Sequence, residues 1–420
     1  MPLTDLEKRA LDAVDMDALL AFLSDLVAVP SINGSPAESD AQKLVADLLR
    51  SWDFDLDCWE IDFDELRKHP AYSVETERQS GLGVVGYIGA GRGRSLILNG
   101  HVDVVPVDDQ TLWHYPPWTG TLAGDRMYGR GALDMKGGLC CGLFAARALQ
   151  QAGVRLDGRL ILQSVIGEED GGAGTLAAIQ RGYRADGAII MEPTELCTSP
   201  SQAGALNFRI TIPGRTAHGA LRGEGVSAID KFIPIYQALM AFEAERQRRF
   251  EEPLYERYAI PFALNVGTVR AGQWASNVPE SLTLEGRFGI VPGEDVDLAR
   301  EAFEQVLHTV SQEDDWLRKH SPELTWWGAQ FLPARIPIYE PILRTAGAAF
   351  EDVTGQAPQT YGMTYGADMR LLVNQANTPT LLFGPGDIRN AHRPDEFVPV
   401  SDLETVTRTL VLTAMRFCGV

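Results

Sequence analysis

The sequence is short of cysteine, of basic residues relative to acids, and of long apolar runs, and each shortage removes a class of protein. Its five cysteines (Cys58, Cys140, Cys141, Cys197 and Cys418) in 420 residues form an odd, sparse set with no CxxC pair. That excludes a disulfide scaffold and a cysteine-type structural zinc site, and it points to a reducing, cytoplasmic compartment. Lys plus Arg number 37 against 57 Asp plus Glu, a formal net charge of −20. Phosphate backbones and anionic lipid surfaces repel such a chain unless a local basic patch exists. The densest basic cluster, Arg246, Arg248 and Arg249, is interleaved with Glu243, Glu245, Glu251 and Glu252, so neither nucleic acid nor membrane is expected as a partner. No apolar run approaches the roughly 20 residues of a membrane span. The N-terminus MPLTDLEKRALDAVD lacks the apolar core of a signal peptide. What is present is a 45% hydrophobic content, enough for well-filled cores, in a chain too long for one ordinary core.

Thr4 and Glu7 form a capping-box pair ahead of helically spaced Leu6, Leu11, Val14, Leu19 and Leu23. Ser35-Pro36-Ala37-Glu38, a cap, a proline at the first turn and an acid at the third position, gives a second helix start. Strand-like runs at 83–88, 95–99, 159–166, 187–191 and 380–383 alternate with helical stretches at 135–152 and 172–182, which predicts an α/β fold with a central sheet covered on both faces. Gly81-Leu82-Gly83-Val84-Val85-Gly86 fits the dinucleotide fingerprint, but it precedes a strand and no helix follows, so a hairpin is expected there. From residue 204 the pattern changes: Leu206, Phe208, Ile210 and Ile212 alternate with polar neighbours, followed by a long helix at 226–248, strands at 263–270 and 281–291 and a helix at 295–310. The expected organisation is a discontinuous main domain (1–203 and 323–420) interrupted by a smaller α+β domain at 204–322.

Chemistry-bearing residues gather just past the predicted strands. His101 and Asp103 follow the strand at 95–99, Glu168-Glu169-Asp170 follow that at 159–166, Glu192 follows that at 187–191, and His392 follows the strand at 380–383. Asp134 sits in a Gly-rich run at a helix entry. Singly, each has an ordinary reading: a turn for the His-x-Asp pair, an N-cap for Asp134, a solvated acidic turn for Glu168 and Glu169. Together they share the edge where open α/β sheets bind ligands. Two imidazoles and at least three carboxylates supply donors for two divalent ions, with zinc, cobalt and manganese all compatible with an N/O set that lacks cysteine.

The strings GHVDVVP, GRGALDMKGG, GEED, MEPT and NAHRPDEFV, in this order, resemble the co-catalytic dizinc M20 peptidases and deacylases, within them the acetylornithine deacetylase, succinyl-diaminopimelate desuccinylase and glutamate carboxypeptidase group. The resemblance implies a zinc-peptidase-like catalytic domain with a mixed central sheet and an inserted α+β lid and dimerisation domain. It implies that Asp134 bridges two metal ions, that His101 and Glu192 complete one site and Glu169 and His392 the other, that Glu168 is the general base, and that Asp103 orients His101. It also implies a cis peptide between Asp134 and Met135. In the inserted domain, His218 matches the histidine that stabilises the oxyanion, often across a homodimer. Asn277 and Arg287 match a clamp for the substrate carboxylate, and Arg287 equally suits an exposed strand position. Arg370, in an altered GGTSDxR-like segment, matches a substrate contact. The activity implied is metal-dependent hydrolysis of an N-acyl amino acid, with a dipeptidase, aminopeptidase or carboxypeptidase on the same scaffold as the alternative and a non-catalytic binding protein as the third. Glu192, where the aminopeptidase branch carries Asp, favours the deacylase and carboxypeptidase branch.

Overall fold

The computed structural model describes residues 2–420, which divide into two compact units: one built from the chain up to Gln202 with Ala334–Met363 and Ala367–Val420, the other from Ala203–Pro333 with Thr364–Gly366. The chain opens with α1 (Asp5–Asp12), α2 (Met16–Ala28), α3 (Ala37–Ser51), β1 (Asp55–Glu60) and the short α4 (Phe63–Leu66). Next come β2 (Leu82–Ile88), β3 (Ser95–His101), β4 (Thr121–Ala123), β5 (Arg126–Tyr128), α5 (Gly137–Gln151), β6 (Arg159–Val165), α6 (Ala173–Gln180), β7 (Gly187–Ile190) and β8 (Ser201–Gln202). The second unit holds β9 (Gly204–Pro213), α7 (Ala228–Arg249), β10 (Leu264–Ala271), β11 (Ser281–Ile290), α8 (Val296–Glu313) and β12 (Glu323–Phe331). The first resumes with β13 (Ala334–Arg335), α9 (Pro341–Thr354), α10 (Met369–Asn374), β14 (Thr380–Leu382), β15 (Phe397–Pro399) and α11 (Val400–Cys418).

The first unit is organised by a six-stranded mixed sheet in the order β1-β2-β6-β3-β7-β14. β3 runs parallel to both β6 and β7, and β14 parallel to β7, while β1 and β2 are antiparallel. The parallel strands are continuous apolar runs because both faces are covered: β7 is buried along its whole length and β6 everywhere after its first residue. Helix α5, whose GLCCGLFAA run is apolar all round, is correspondingly buried nearly throughout. The Thr4–Glu7 capping box forms as read from the sequence. Two local expectations are corrected. Ser35 makes no cap bond, and Glu38 turns to Arg78 instead of back to its own helix. Gly81–Gly86 is no hairpin with β3, because β6 lies between the two strands and β2 pairs with β1 and β6. The connection crosses over β6's start, where Gly93 and Gly158 approach so closely that a Cβ on Gly93 would lie 2.9 Å from the Gly158 nitrogen.

The second unit is a four-stranded antiparallel sheet, β10-β11-β9-β12, packed on one face by α7 and α8. β9 alternates buried and half-buried residues after its first turn into the sheet, the one-wet-face pattern of its sequence. Its core centres on Phe208, Phe288, Phe303 and Trp326, with ring centroids 4.9 to 6.4 Å apart. The unit extends past residue 322, where the sequence reading ended it, because β12 pairs along β9. No helix among the described residues is long and apolar enough to cross a membrane.

Candidate active site

Register explains why distant motifs meet. His101 pairs with Val165 across β3 and β6, and Asn99 with Ile190 across β3 and β7. The three parallel strands therefore end at one level, and His101, at the end of β3, emerges together with Glu168, Glu169 and Glu192, just beyond β6 and β7. Asp134 joins them from the break before α5, where it and Met135 leave helical geometry and the bond between them is cis. That helix can approach because residue 138 is glycine: a Cβ there would lie 2.0 Å from the Met191 carbonyl oxygen, next to Glu192.

The two carboxylate oxygens of Asp134 face different imidazoles. Oδ1 is 3.3 Å from His101 Nε2 and Oδ2 is 3.2 Å from His392 Nε2. His101 Nε2 is also 3.7 Å from Glu192 Oε1 and 4.0 Å from Glu168 Oε2, and His392 Nε2 is 3.1 Å from Glu169 Oε1. Two groups of donor atoms, His101 with Asp134 and Glu169 and His101 with Glu168 and Glu192, each lie within 4.8 Å of one another, a spacing that suits a metal ion.

Electrostatics follow from packing acids this closely out of water. Burial, then the Glu192 charge, holds Glu168 well above the usual carboxylate range, and burial with Asp134 does the same for Glu192. Burial and Asp134 also raise Glu169. For His101, burial lowers the pKa, but Asp103, Asp134, Glu192 and Glu168 outweigh it and carry the imidazole well above its usual value. His392 is pushed to about 11, burial being overcome by Glu169 and Asp134. Burial raises Asp134, yet the two imidazoles bring it below its ordinary value. Glu168 Oε1 and Asp103 Oδ1 are buried with no hydrogen-bond partner. Buried carboxylates crowded against two imidazoles, with a Glu168 oxygen left without a partner, form the donor set a divalent cation would satisfy.

Asp103 differs from its expected role. His101 Nδ1 bonds to the Asp103 main-chain carbonyl at 2.9 Å, whereas the carboxylate is 3.7 Å away and its other oxygen accepts from the Glu169 N–H at 3.0 Å. Arg370, expected as a substrate contact, is 2% exposed and donates Nη2 to the Gly171 carbonyl at 2.6 Å. In the second unit, His218 and Asn277 are brought together by an isolated antiparallel bridge, with His218 exposed and its Nδ1 accepting from the Ala220 N–H. Arg287 is half-buried and donates to the Thr364 carbonyl at 2.7 Å. Burial lowers its pKa, and no carboxylate among the described residues pairs with it.

Glu396 is a residue the sequence reading missed. Fully buried, its Oε1 accepts from the N–H groups of Gly131, Leu133 and Asp134 at 2.9, 3.2 and 3.2 Å, while Oε2 pairs with Arg130. It ties Asp134 to the His392 loop. Its signal was its place in NAHRPDEFV, four residues after His392.

A mixed α/β sheet that delivers two imidazoles and four carboxylates to one edge defines the class, an α/β metallohydrolase. Residues 97–416 match the model of Peptidase family M20/M25/M40, and the chain belongs to that family. It is 30% identical to N-formyl-4-amino-5-aminomethyl-2-methylpyrimidine deformylase of Halalkalibacterium halodurans, over 96% of this chain and 95% of the other. It is 27% identical to acetylornithine deacetylase of Proteus mirabilis, over 96% and 98%. Among solved structures it shares its fold with the di-peptidase Dug1p from Saccharomyces cerevisiae (TM-score 0.77, 14% identity, 98% of each chain). It shares it also with a dinuclear metal-binding peptidase of the M20 family from Bacillus subtilis (TM-score 0.62, 14% identity, 96% and 98%).

Proposed function

We propose that the protein is a metal-dependent amidohydrolase that removes the acyl group from a small N-acyl amino acid, using two divalent ions, zinc first among them. The observation that carries this reading is the split of Asp134, one oxygen toward His101 and the other toward His392. His101 and Glu192 would complete one ion's ligands around Asp134, and Glu169 and His392 the other's. When bound, a pair of divalent ions supplies Lewis acidity toward an amide carbonyl and an attacking water. Glu168 lies in the donor group of His101 and Glu192 but is assigned to neither ion; with one oxygen unpartnered, it takes the proton from the water and passes it to the leaving amine. The Asp103 carbonyl fixes the His101 ring so that Nε2 faces Asp134.

The half-buried Arg287, with no acid against it, supports a substrate carboxylate, and Asn277 and His218 supply further polar contacts. A second reading, an N-formyl amine without a carboxylate, is favoured by the 30% identity to the pyrimidine deformylase. Screening N-acetyl, N-succinyl, N-carbamoyl and N-formyl amino acids beside an N-formyl aminomethylpyrimidine, with zinc or cobalt added, separates the two. Turnover confined to the pyrimidine removes the amino-acid reading. We place a homodimer interface on the second unit, where Ile229, Ile233 and Tyr236 are 44, 49 and 40% exposed at helical spacing on α7. Sedimentation of a monomer at full activity rules out His218 acting on a partner. All five cysteines are free thiols, which supports a reducing, cytoplasmic setting.

A further inference from the structure

We propose that Arg78 is a positioning residue for the turn that carries Glu168 and Glu169, an assignment that rests on reading that turn as part of a metal centre. Arg78 lies in the irregular segment between α4 and β2, outside every motif discussed above. Its side chain is 1% exposed and sits between Glu38, at the first turn of α3, and Asp170, each 2% exposed. Nε and Nη2 donate to Glu38 at 2.9 and 2.7 Å, and Nη1 donates to both oxygens of Asp170 at 2.9 Å. The flat face of the guanidinium rests on Gly167: a Cβ there would lie 2.9 Å from Arg78 Cζ, and Gly167 already has φ +69°.

The same segment holds the main chain of the turn. The Glu75 N–H donates to the Asp170 carbonyl at 3.2 Å, and the Thr76 N–H to its carboxylate at 3.0 Å. A Cβ on Gly171 would fall 1.6 Å from the Ser73 carbonyl oxygen. Residues 73–78 therefore press on the turn from Gly167 to Gly171 along its length.

The turn needs outside support. Gly167, Gly171 and Gly172 all have positive φ, so its backbone is intrinsically permissive. Its two adjacent glutamates repel each other and belong to different donor groups. Asp170, the next residue, is the handle, and Arg78 is the only cation bonded to it among the described residues. An arginine is required because one planar fork serves Glu38 and Asp170 at once, which a lysine's single ammonium cannot do in the same geometry. A misplacement of about 1 Å in such a constellation costs about 100-fold in rate.

A buried ion triad can also serve stability alone, so the test needs a readout that stability does not move. Full-length wild type, Arg78→Lys and Asp170→Asn are titrated with Co(II) and followed by their visible spectra, beside thermal unfolding and steady-state kinetics. Glu7→Gln is the control, since it breaks the Glu7–Arg416 pair (2.7 Å), which has no link to the turn. Wild type is expected to take up two Co(II). Arg78→Lys and Asp170→Asn are expected to bind the second Co(II) at least 10-fold more weakly, with altered bands and kcat lowered at least 10-fold at nearly constant KM. Glu7→Gln is expected to lose only thermal stability. If Arg78→Lys does not fold, the milder Asp170→Asn decides. Variants that melt earlier yet reproduce wild-type Co(II) affinities and bands overturn the proposal. A wild type that takes up no Co(II) overturns the reading of the site itself, and the proposal with it.

Discussion

Replacing Gly138 by alanine sets two effects against each other inside one helix. Alanine is the better helix former, and on propensity alone Gly138→Ala in α5 would stabilise by about 0.5–1 kcal/mol. Position 138, however, abuts the strand that delivers Glu192. The new Cβ would lie 2.0 Å from the Met191 carbonyl oxygen and 2.9 Å from the Met191 Cβ, against the 3.4 Å at which ordinary contact begins. Both neighbours are main-chain or Cβ atoms, so no side-chain rotation relieves the clash, and α5 or β7 has to move by about 1.4 Å. Overpacking of this kind costs about 1–3 kcal/mol, which exceeds the propensity gain, so the sign is destabilising. The displacement falls on Glu192 and on Asp134 at the other end of the same contact, and about 1 Å of misplacement at a reacting centre costs about 100-fold. The expected result is a lower melting temperature and a fall of about 100-fold in kcat/KM on the best N-acyl substrate, with weakened metal retention under a chelator. A variant with wild-type activity and unchanged or higher melting temperature would refute the account of how α5 and β7 set the site.

Glu168→Gln keeps the shape of the side chain but removes its ability to carry a proton. It is expected to retain its metal content while kcat falls about 10²–10⁴-fold, and a near-native rate would remove Glu168 from the role of base. The pair of Glu7 and Arg416 predicts a pH effect far from the site. Burial pushes the Glu7 pKa up, but the Thr4 N–H and the Arg416 guanidinium outweigh it and hold it below 4.5. A lowered carboxyl stabilises the fold above its unfolded pKa and loses that contribution as the pH falls through the folded value. The gap in melting temperature between wild type and Glu7→Gln is therefore expected to be constant above about pH 5 and to close below about pH 4. A gap that stays the same down to pH 3 would contradict the pairing.

The strand ends were legible in the sequence and the strand order was not, and the reason is physical. Strands with both faces buried read as unbroken apolar runs, so the ends of β3, β6 and β7, with His101, Glu168, Glu169 and Glu192 at or just past them, could be placed from pattern. Strand order is set by pairings between distant segments, and nothing near Gly81–Gly86 announces that β6 enters between β2 and β3. Contacts that depend on the third dimension were likewise invisible. His-x-Asp spacing suggests a carboxylate on the imidazole, but the main-chain carbonyl of Asp103 takes that position because its carboxylate turns to the Glu169 N–H. Glu38 reads as a helix-start acid, and only the fold shows it facing Arg78. Glu396 sat in a recognised string, yet its grip on three N–H groups around Asp134 needs the loop geometry to be seen.

In the proposed site Asp134 would hold two divalent ions, one beside His101 and one beside His392. Metal content after reconstitution with zinc and removal of excess, measured on wild type and Asp134→Asn side by side, tests it most directly. Two ions per wild-type chain and less than one in the variant are expected, with both proteins folded by circular dichroism. A wild type that retains fewer than one ion per chain, or an Asp134→Asn protein that retains two, would contradict it.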